Sequence, residues 1–303
     1  MESIVVIIST YNAGHNIIKQ LDSIFSQIDV AVQVYIRDDQ STDDTVNIIN
    51  DYCETHKSYT IHIDKGDNLG YAHSFLTALK EAPIADYYAF ADQDDVWYPN
   101  KLKKCLELFD KKNGSKPQLT YCNFIRASEE LKPLAEQPNI LAADQLTKKI
   151  VLTETFNYGA ATIFNNSARI LIDRRMPSDK SIPHDLWAGA LCFWFGDVHY
   201  CNEPLYFWIR YDSSVTGAGT IKSHYLYRLK ESMHQRSYPN VATDLLIGYS
   251  DLLTDEDNKF LERITNYKNS LSDKLMLLFD KTFKRSKYIG SVMLKIGILL
   301  NWF

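Results

Sequence analysis

The chain is predicted to be an α/β protein with a mostly parallel sheet flanked by helices and a helical C-terminal extension. Three observations carry this. Short β-branched runs alternate with helical periodicity from residue 4 to about 125, the signature of βα units. Each of the first four strand-like runs is followed by a polar cluster. Beyond Thr220 the extended runs give way to helical patterning, which divides the chain into residues 1–219 and a helical extension, 220–303.

The predicted strands of the first part are Ile4 to Ser9, Val32 to Arg37, Tyr59 to Ile63, Tyr87 to Ala91 and Leu119 to Phe124. Between the first two, Ile17, Ile18, Leu21, Ile24, Phe25 and Ile28 follow the 3.6-residue period of an amphipathic helix. Ser41 to Asp44 has capping-box form and places a helix N-terminus just beyond Asp39. The segment from Ser128 to Thr153 is polar, lacks a clear period and reads as a loop or an acceptor-side insertion. Thr162 to Phe164, a helix around Leu186 to Phe195, and the runs Val198 to Tyr200 and Leu205 to Ile209 complete the same sheet.

At 303 residues the chain can bury a full core, and a net charge of -5 gives no sign of a nucleic-acid partner. Cys53, Cys105, Cys122, Cys192 and Cys201 are odd in number and lack C-x-x-C spacing. Neither a disulfide framework nor a zinc site is indicated, and a reducing cytoplasm fits. The opening Met1-Glu2-Ser3-Ile4-Val5-Val6-Ile7-Ile8 reads as a first strand rather than a signal peptide.

In open parallel sheets, ligands bind beyond the carboxyl ends of the strands. There the chain carries Ser9-Thr10-Tyr11-Asn12, Asp38-Asp39-Gln40-Ser41, Asp67-Asn68-Leu69-Gly70 and Asp92-Gln93-Asp94-Asp95. Singly, each fits a cap or a turn. Together they mark one edge of one sheet. The carboxylates after Ala91 are hard oxygen ligands suited to Mg²⁺ or Mn²⁺, ions that also hold a substrate's phosphates.

This ordered set resembles the family 2 glycosyltransferases of GT-A fold. The match extends to His184-Asp185-Leu186-Trp187 and to Arg210 followed by Val215-Thr216-Gly217. Within the family, the residues around Asp92 to Trp97 and His184-Asp185 look most like bacterial rhamnosyltransferases of cell-wall and capsule assembly. The resemblance implies a metal on Asp94, with Asp92 on ribose or the metal, and a general base at Asp185. Asp39 would accept the N3-H of uracil or thymine, with Thr10, Tyr11, Asn12, Asn68 and Gly70 around the nucleotide. Arg210 would meet the diphosphate. The implied reaction is inverting transfer of a sugar to a glycan acceptor, with dTDP-rhamnose as the leading donor. A UDP-hexose donor and a non-catalytic nucleotide- or glycan-binding subunit are the alternatives. Where relatives often carry Gln-His after the Arg, this chain has Tyr211-Asp212, which makes Asp212 a further candidate ligand; Ser74 stands where relatives often carry Asn.

From Lys281 onward, Lys281, Lys284, Arg285, Lys287 and Lys295 are unopposed by any acidic residue and interleave with apolar residues ending in Trp302 and Phe303. A membrane-surface helix at the inner face of the cell membrane, near a lipid-linked acceptor, is one expectation. A basic helix packed on its own domain is the other.

Overall fold

The computed structural model describes residues 2–135, 137–138, 140–210 and 237–303. Asp212, the Val215-Thr216-Gly217 motif and the expected boundary at 219/220 fall outside them. The chain divides into two compact units, one within residues 1–140, 157–176 and 183–214, the other within 141–156, 177–182 and 215–303.

The first unit holds β1 (Ser3–Thr10), α1 (Asn16–Phe25), β2 (Ala31–Asp38), α2 (Thr45–Thr55), β3 (Thr60–Lys65), α3 (Tyr71–Glu81), β4 (Tyr87–Ala91), β5 (Val96–Trp97), α4 (Lys101–Leu106), β6 (Gln118–Ala127), β7 (Thr162–Asn165), α5 (Asn166–Asp173), α6 (His184–Phe195) and β8 (Asp197–Ile209). Eight strands form one sheet in the order β3-β2-β1-β4-β7-β6-β8-β5. Burial explains the order. Ile4, Val6, Ile7 and Ile8 of β1 and Tyr88 to Ala91 of β4 have no exposed surface, as strands covered on both faces require, whereas edge strand β3 alternates. Parallel pairing joins β1 to β2 and β4, β2 to β3, and β6 to β8; β7 and β5 run against their neighbours. The carboxyl ends of β1 to β4, β6 and β8 therefore share one edge.

Some details differ from the sequence reading. The two runs after Asp197 are one strand, β8, whose pairing with β6 shifts register near Pro204, a residue with no N–H to donate. The short strand β5 follows directly after the acidic cluster Asp92 to Asp95. Ser41 does not cap α2, which begins at Thr45; its hydroxyl donates to Asp38 Oδ1 at 2.6 Å instead.

In the second unit, α7 (Ser237–Gly248), α8 (Asp255–Asn266), α9 (Leu271–Phe279) and α10 (Tyr288–Leu299) follow one another. The segment read as a loop contributes Ile150, Val151 and Leu152 to the interior, with Phe260, Leu261, Ile264, Phe283, Ile298 and Phe303. Two of the five cations expected on a basic surface are structural. Arg285 is buried and its Nε donates to the Thr153 carbonyl at 2.9 Å; Lys295 Nζ donates to the carbonyls of Leu277 and Asp280. Lys281, Lys284 and Lys287 remain exposed.

Candidate active site

At the ends of β1 and β2 the polar clusters lock onto one another. Buried Thr10 donates through Oγ1 to Asp38 Oδ1 at 2.9 Å, and its carbonyl accepts from Asp39 N at 2.8 Å. Asn12, at φ 50°, accepts on Oδ1 from Thr42 N at 2.8 Å, while its own N–H donates to Ser41 Oγ. Asp39 is 2% exposed. Its Oδ1 accepts from Arg37 Nη1 at 2.5 Å and Leu69 N at 2.9 Å, and its Oδ2 from Gly70 N at 2.9 Å. A carboxylate offers about four acceptor positions, so one remains on Oδ2 for a further N–H. Gly70 sits at φ +78°, a left-handed conformation that lets its N–H face Asp39 at the start of α3. Asn68 and Tyr11 are exposed. Ser74 accepts from Arg37 Nη1 at 2.9 Å and from Ser9 Oγ at 2.6 Å, so it braces the same network.

Gln93, between the two acidic residues of Asp92-Gln93-Asp94, clasps Tyr11 from both sides. Its Oε1 accepts from Tyr11 N at 2.9 Å and its Nε2 donates to Tyr11 O at 3.2 Å. The β4 loop is thereby tied to the β1 loop. Burial, then the charges of Asp94 and Asp185, push the Asp92 carboxyl up to about 7. Burial also raises Asp94, against the opposing pull of Arg210. Arg210 in turn feels Asp94 and Asp95. Asp92 thus feels Asp94 and, from the start of α6, Asp185, while Asp94 feels Arg210 at the end of β8.

Asp185 occupies the first turn of α6. Its Oδ1 accepts from Leu186 N at 2.8 Å and its Oδ2 from Gly159 N at 3.0 Å, while burial raises it to about 6. Its neighbour His184 is not a second acid: it is buried, stacked on Phe75 at 3.9 Å, and burial pulls its imidazole down to about 3. Gly159 is required by this packing, since a Cβ there would meet His184 Nε2 at 2.6 Å. Tyr71, 60% exposed, lies edge-on to His184 with ring centroids 6.3 Å apart and feels the charges of Asp185 and Asp92.

Sequence reasoning missed Lys101. It is fully buried, with Nζ 3.1 Å from the centroid of the Trp97 ring, and burial lowers its ammonium to about 8. Asp95, equally buried, accepts from Ile209 N at 3.2 Å while its Oδ2 has no partner among the described residues. Lys101 Nζ meets no hydrogen-bond acceptor among the described residues; it lies over the Trp97 and Tyr206 rings and feels Asp95 and Asp92 through longer-range charge. Lys101→Met should destabilise the fold by about 2 kcal/mol, the scale of a desolvated cation–π contact. Chemical denaturation reads the loss; an unshifted midpoint would refute a stabilising role for the ammonium.

Among the described residues, no group of three His, Cys, Asp or Glu side chains is arranged to hold a metal unaided. The donor set still fits a hard divalent cation. Such ions commonly use one or two carboxylates and take their remaining oxygens from phosphates and water, and mutually repelling Asp92 and Asp94 are relieved by positive charge.

Comparisons with known proteins identify the family and the fold. The family model described as glycosyl transferase family 2 matches residues 5–169, more than half of the chain. A dTDP-rhamnosyl transferase, RfbG, of Shigella flexneri is 35% identical over 102 residues, 33% of this chain and 35% of that protein. The UDP-Glc:alpha-D-GlcNAc-diphosphoundecaprenol beta-1,3-glucosyltransferase WfaP of Escherichia coli is 29% identical over 192 residues, 61% of this chain and 66% of its own length. The chain thus spans about a third of the first relative and just under two thirds of the second. The crystal structure of S. aureus TarS 1-349 in complex with UDP-GlcNAc superposes with a TM-score of 0.58 at 15% identity, covering 99% of this chain and 80% of that one. That likeness concerns the fold.

Proposed function

The chain belongs to glycosyl transferase family 2, and on that premise we propose that it moves rhamnose from dTDP-rhamnose, with inversion, onto a lipid-linked glycan of the bacterial surface. The observation that carries the reading is the placement of Asp92 and Asp94 directly after β4 and of Arg210 directly after β8 on one sheet edge, with Asp185 at the start of α6 acting on Asp92. The base-recognition loops Thr10 to Asn12, Asp39 and Asn68 to Gly70 lie along the same edge.

In this mechanism the free position on Asp39 Oδ2 takes the N3-H of the pyrimidine. Asp185 accepts the proton of the acceptor hydroxyl as its oxygen bonds to the anomeric carbon and the bond to the diphosphate breaks. A single displacement of this kind inverts the anomeric configuration. Arg210 faces the charge that grows on the leaving diphosphate. Asp94 and Asp92 would hold Mg²⁺ or Mn²⁺, which when bound supplies Lewis-acid stabilisation of that diphosphate.

Turnover against a panel of sugar nucleotides tests the reading. Transfer or hydrolysis of dTDP-rhamnose above all others is expected. Preference for a UDP-hexose would support the alternative donor, toward which the glucosyltransferase relative leans, and silence with every donor would make the protein a non-catalytic binding subunit.

We assign membrane association to the helices after residue 220. No helix among the described residues is long and apolar enough to cross a membrane. However, α9 and α10 border a shallow groove lined by Leu278, Val292, Ile296 and Leu299, with Phe279 79% and Ile289 73% exposed nearby and Lys281, Lys284 and Lys287 outside. Removing residues 281–303 would strip Phe283, Leu294, Ile298 and Phe303 from the interior, so point variants are the proper test. Ile289→Asp with Leu299→Asp should weaken sedimentation with anionic vesicles by about tenfold or more. Unchanged sedimentation would remove the membrane role.

A further inference from the structure

The segment that leads into β7 meets α6 at two points, and both need glycine. A Cβ on Gly159 would come within 2.6 Å of His184 Nε2, and one on Gly189 within 2.5 Å of Asn157 Oδ1. The two contacts bracket Asp185. There the backbones approach more closely than larger residues would permit.

Across this contact, residues 157–159 hold the proposed base both by its backbone and by its carboxyl group. Asn157 Nδ2 donates to the Asp185 carbonyl at 3.0 Å and to Thr162 Oγ1 at 3.2 Å. Gly159 N donates to Asp185 Oδ2 at 3.0 Å. Thr162 opens β7, which lies between β4 and β6, and its hydroxyl donates to the Tyr158 carbonyl at 2.8 Å. The segment is thereby fastened to the interior of the sheet.

Stability alone does not explain an asparagine at position 157. The residue has no exposed surface, and its Oδ1 has no hydrogen-bond partner among the described residues. A buried acceptor left unmet weakens a fold. Nor do its partners depend on the amide, because the Asp185 carbonyl belongs to the regular hydrogen-bonding of α6 and Thr162 already donates to Tyr158. An apolar side chain of similar volume would serve the packing. What the amide adds is a tie to Asp185.

We infer that Asn157 is a positioning residue which, together with the Gly159 N–H, fixes where the Asp185 carboxylate stands relative to the acceptor hydroxyl. This rests on the transferase reading and adds a residue to its mechanism. Having no exposed surface, Asn157 acts only through Asp185.

Asn157→Leu keeps the volume and removes the tie. The assay uses the full chain and whichever of dTDP-rhamnose, UDP-glucose and UDP-N-acetylglucosamine it turns over fastest. The turnover number should fall about 10- to 100-fold, the scale of a small misplacement of a catalytic group, while the donor KM and the affinity for UDP and dTDP stay unchanged. A double-variant cycle separates positioning from a general structural role. In the Asp185→Asn background, Asn157→Leu should lower turnover by less than about twofold further, since its only route to the reaction is the carboxylate. A structural role would multiply the two losses. Thr162→Val, which removes one anchor of the amide and empties no space, should lower turnover about fivefold, and that effect should also vanish in the Asp185→Asn background. If Asn157→Leu fails to fold, the Thr162→Val cycle decides. Unchanged turnover, multiplied losses in the cycle, or weakened nucleotide binding in a folded variant would overturn the assignment and leave the transferase reading intact. A wild type silent with every donor would instead reject that reading, and the positioning role with it.

Discussion

Asp185→Asn is expected to lower turnover by roughly 10²-fold or more while leaving nucleotide affinity nearly unchanged. The amide preserves the shape of the side chain, and its single oxygen can accept from Gly159 N or Leu186 N but not from both, and it cannot take a proton from the acceptor. The pH dependence gives a second signature. Burial raises Asp185 to about 6, so the group is an ionised base only above that pH. Wild-type turnover should fall as pH drops through the range of Asp92, raised to about 7, and more steeply than tenfold per unit below about 6, where Asp185 is protonated as well. In the Asn variant the limb below about 6 should be one proton shallower. A variant that loses nucleotide binding yet keeps its rate at saturation would assign Asp185 to the donor instead.

Much of this edge was legible in the sequence because buried parallel strands are nearly continuous apolar runs, and the residues directly after each run must lie at its carboxyl end. Ile4 to Ile8 and Tyr87 to Ala91 announce themselves, and the positions of Thr10, Asp39, Gly70, Asp92 and Asp94 are set by such runs. Harder to read were residues whose role depends on a partner distant in the chain. In Lys101-Leu102-Lys103-Lys104 the three lysines look alike, yet Lys103 and Lys104 pair with Asp29 and Glu203 at the surface while Lys101 turns inward onto Trp97. Arg285 and Lys295 were likewise indistinguishable from surface cations until Thr153, Leu277 and Asp280 supplied carbonyls for them. Asn157 carried no local signal at all, since its bond to the Asp185 carbonyl depends on how closely α6 passes the segment before β7.

The four carboxyl groups near the β4 loop divide into different roles, and substitution should separate them. Asp95 is internal: fully buried, hydrogen-bonded to Ile209 N and opposed by Lys101, so its loss should act on stability. Asp94 is partly accessible and faces Arg210. Asp94→Ala should therefore leave the melting temperature at or above that of the wild type, because it removes a charge that raises Asp92. Its effect on catalysis should be large. If Asp94 holds the divalent cation that steadies the departing diphosphate, the variant forfeits several kcal/mol of transition-state stabilisation, and each 1.36 kcal/mol is a factor of ten; turnover should fall by roughly 10²- to 10³-fold. Excess chelator should silence the wild type to a similar level, and added Mn²⁺ or Mg²⁺ should restore it but not the variant. Full wild-type activity in excess chelator would refute the metal assignment and leave Arg210 as the principal counter-charge to the leaving diphosphate.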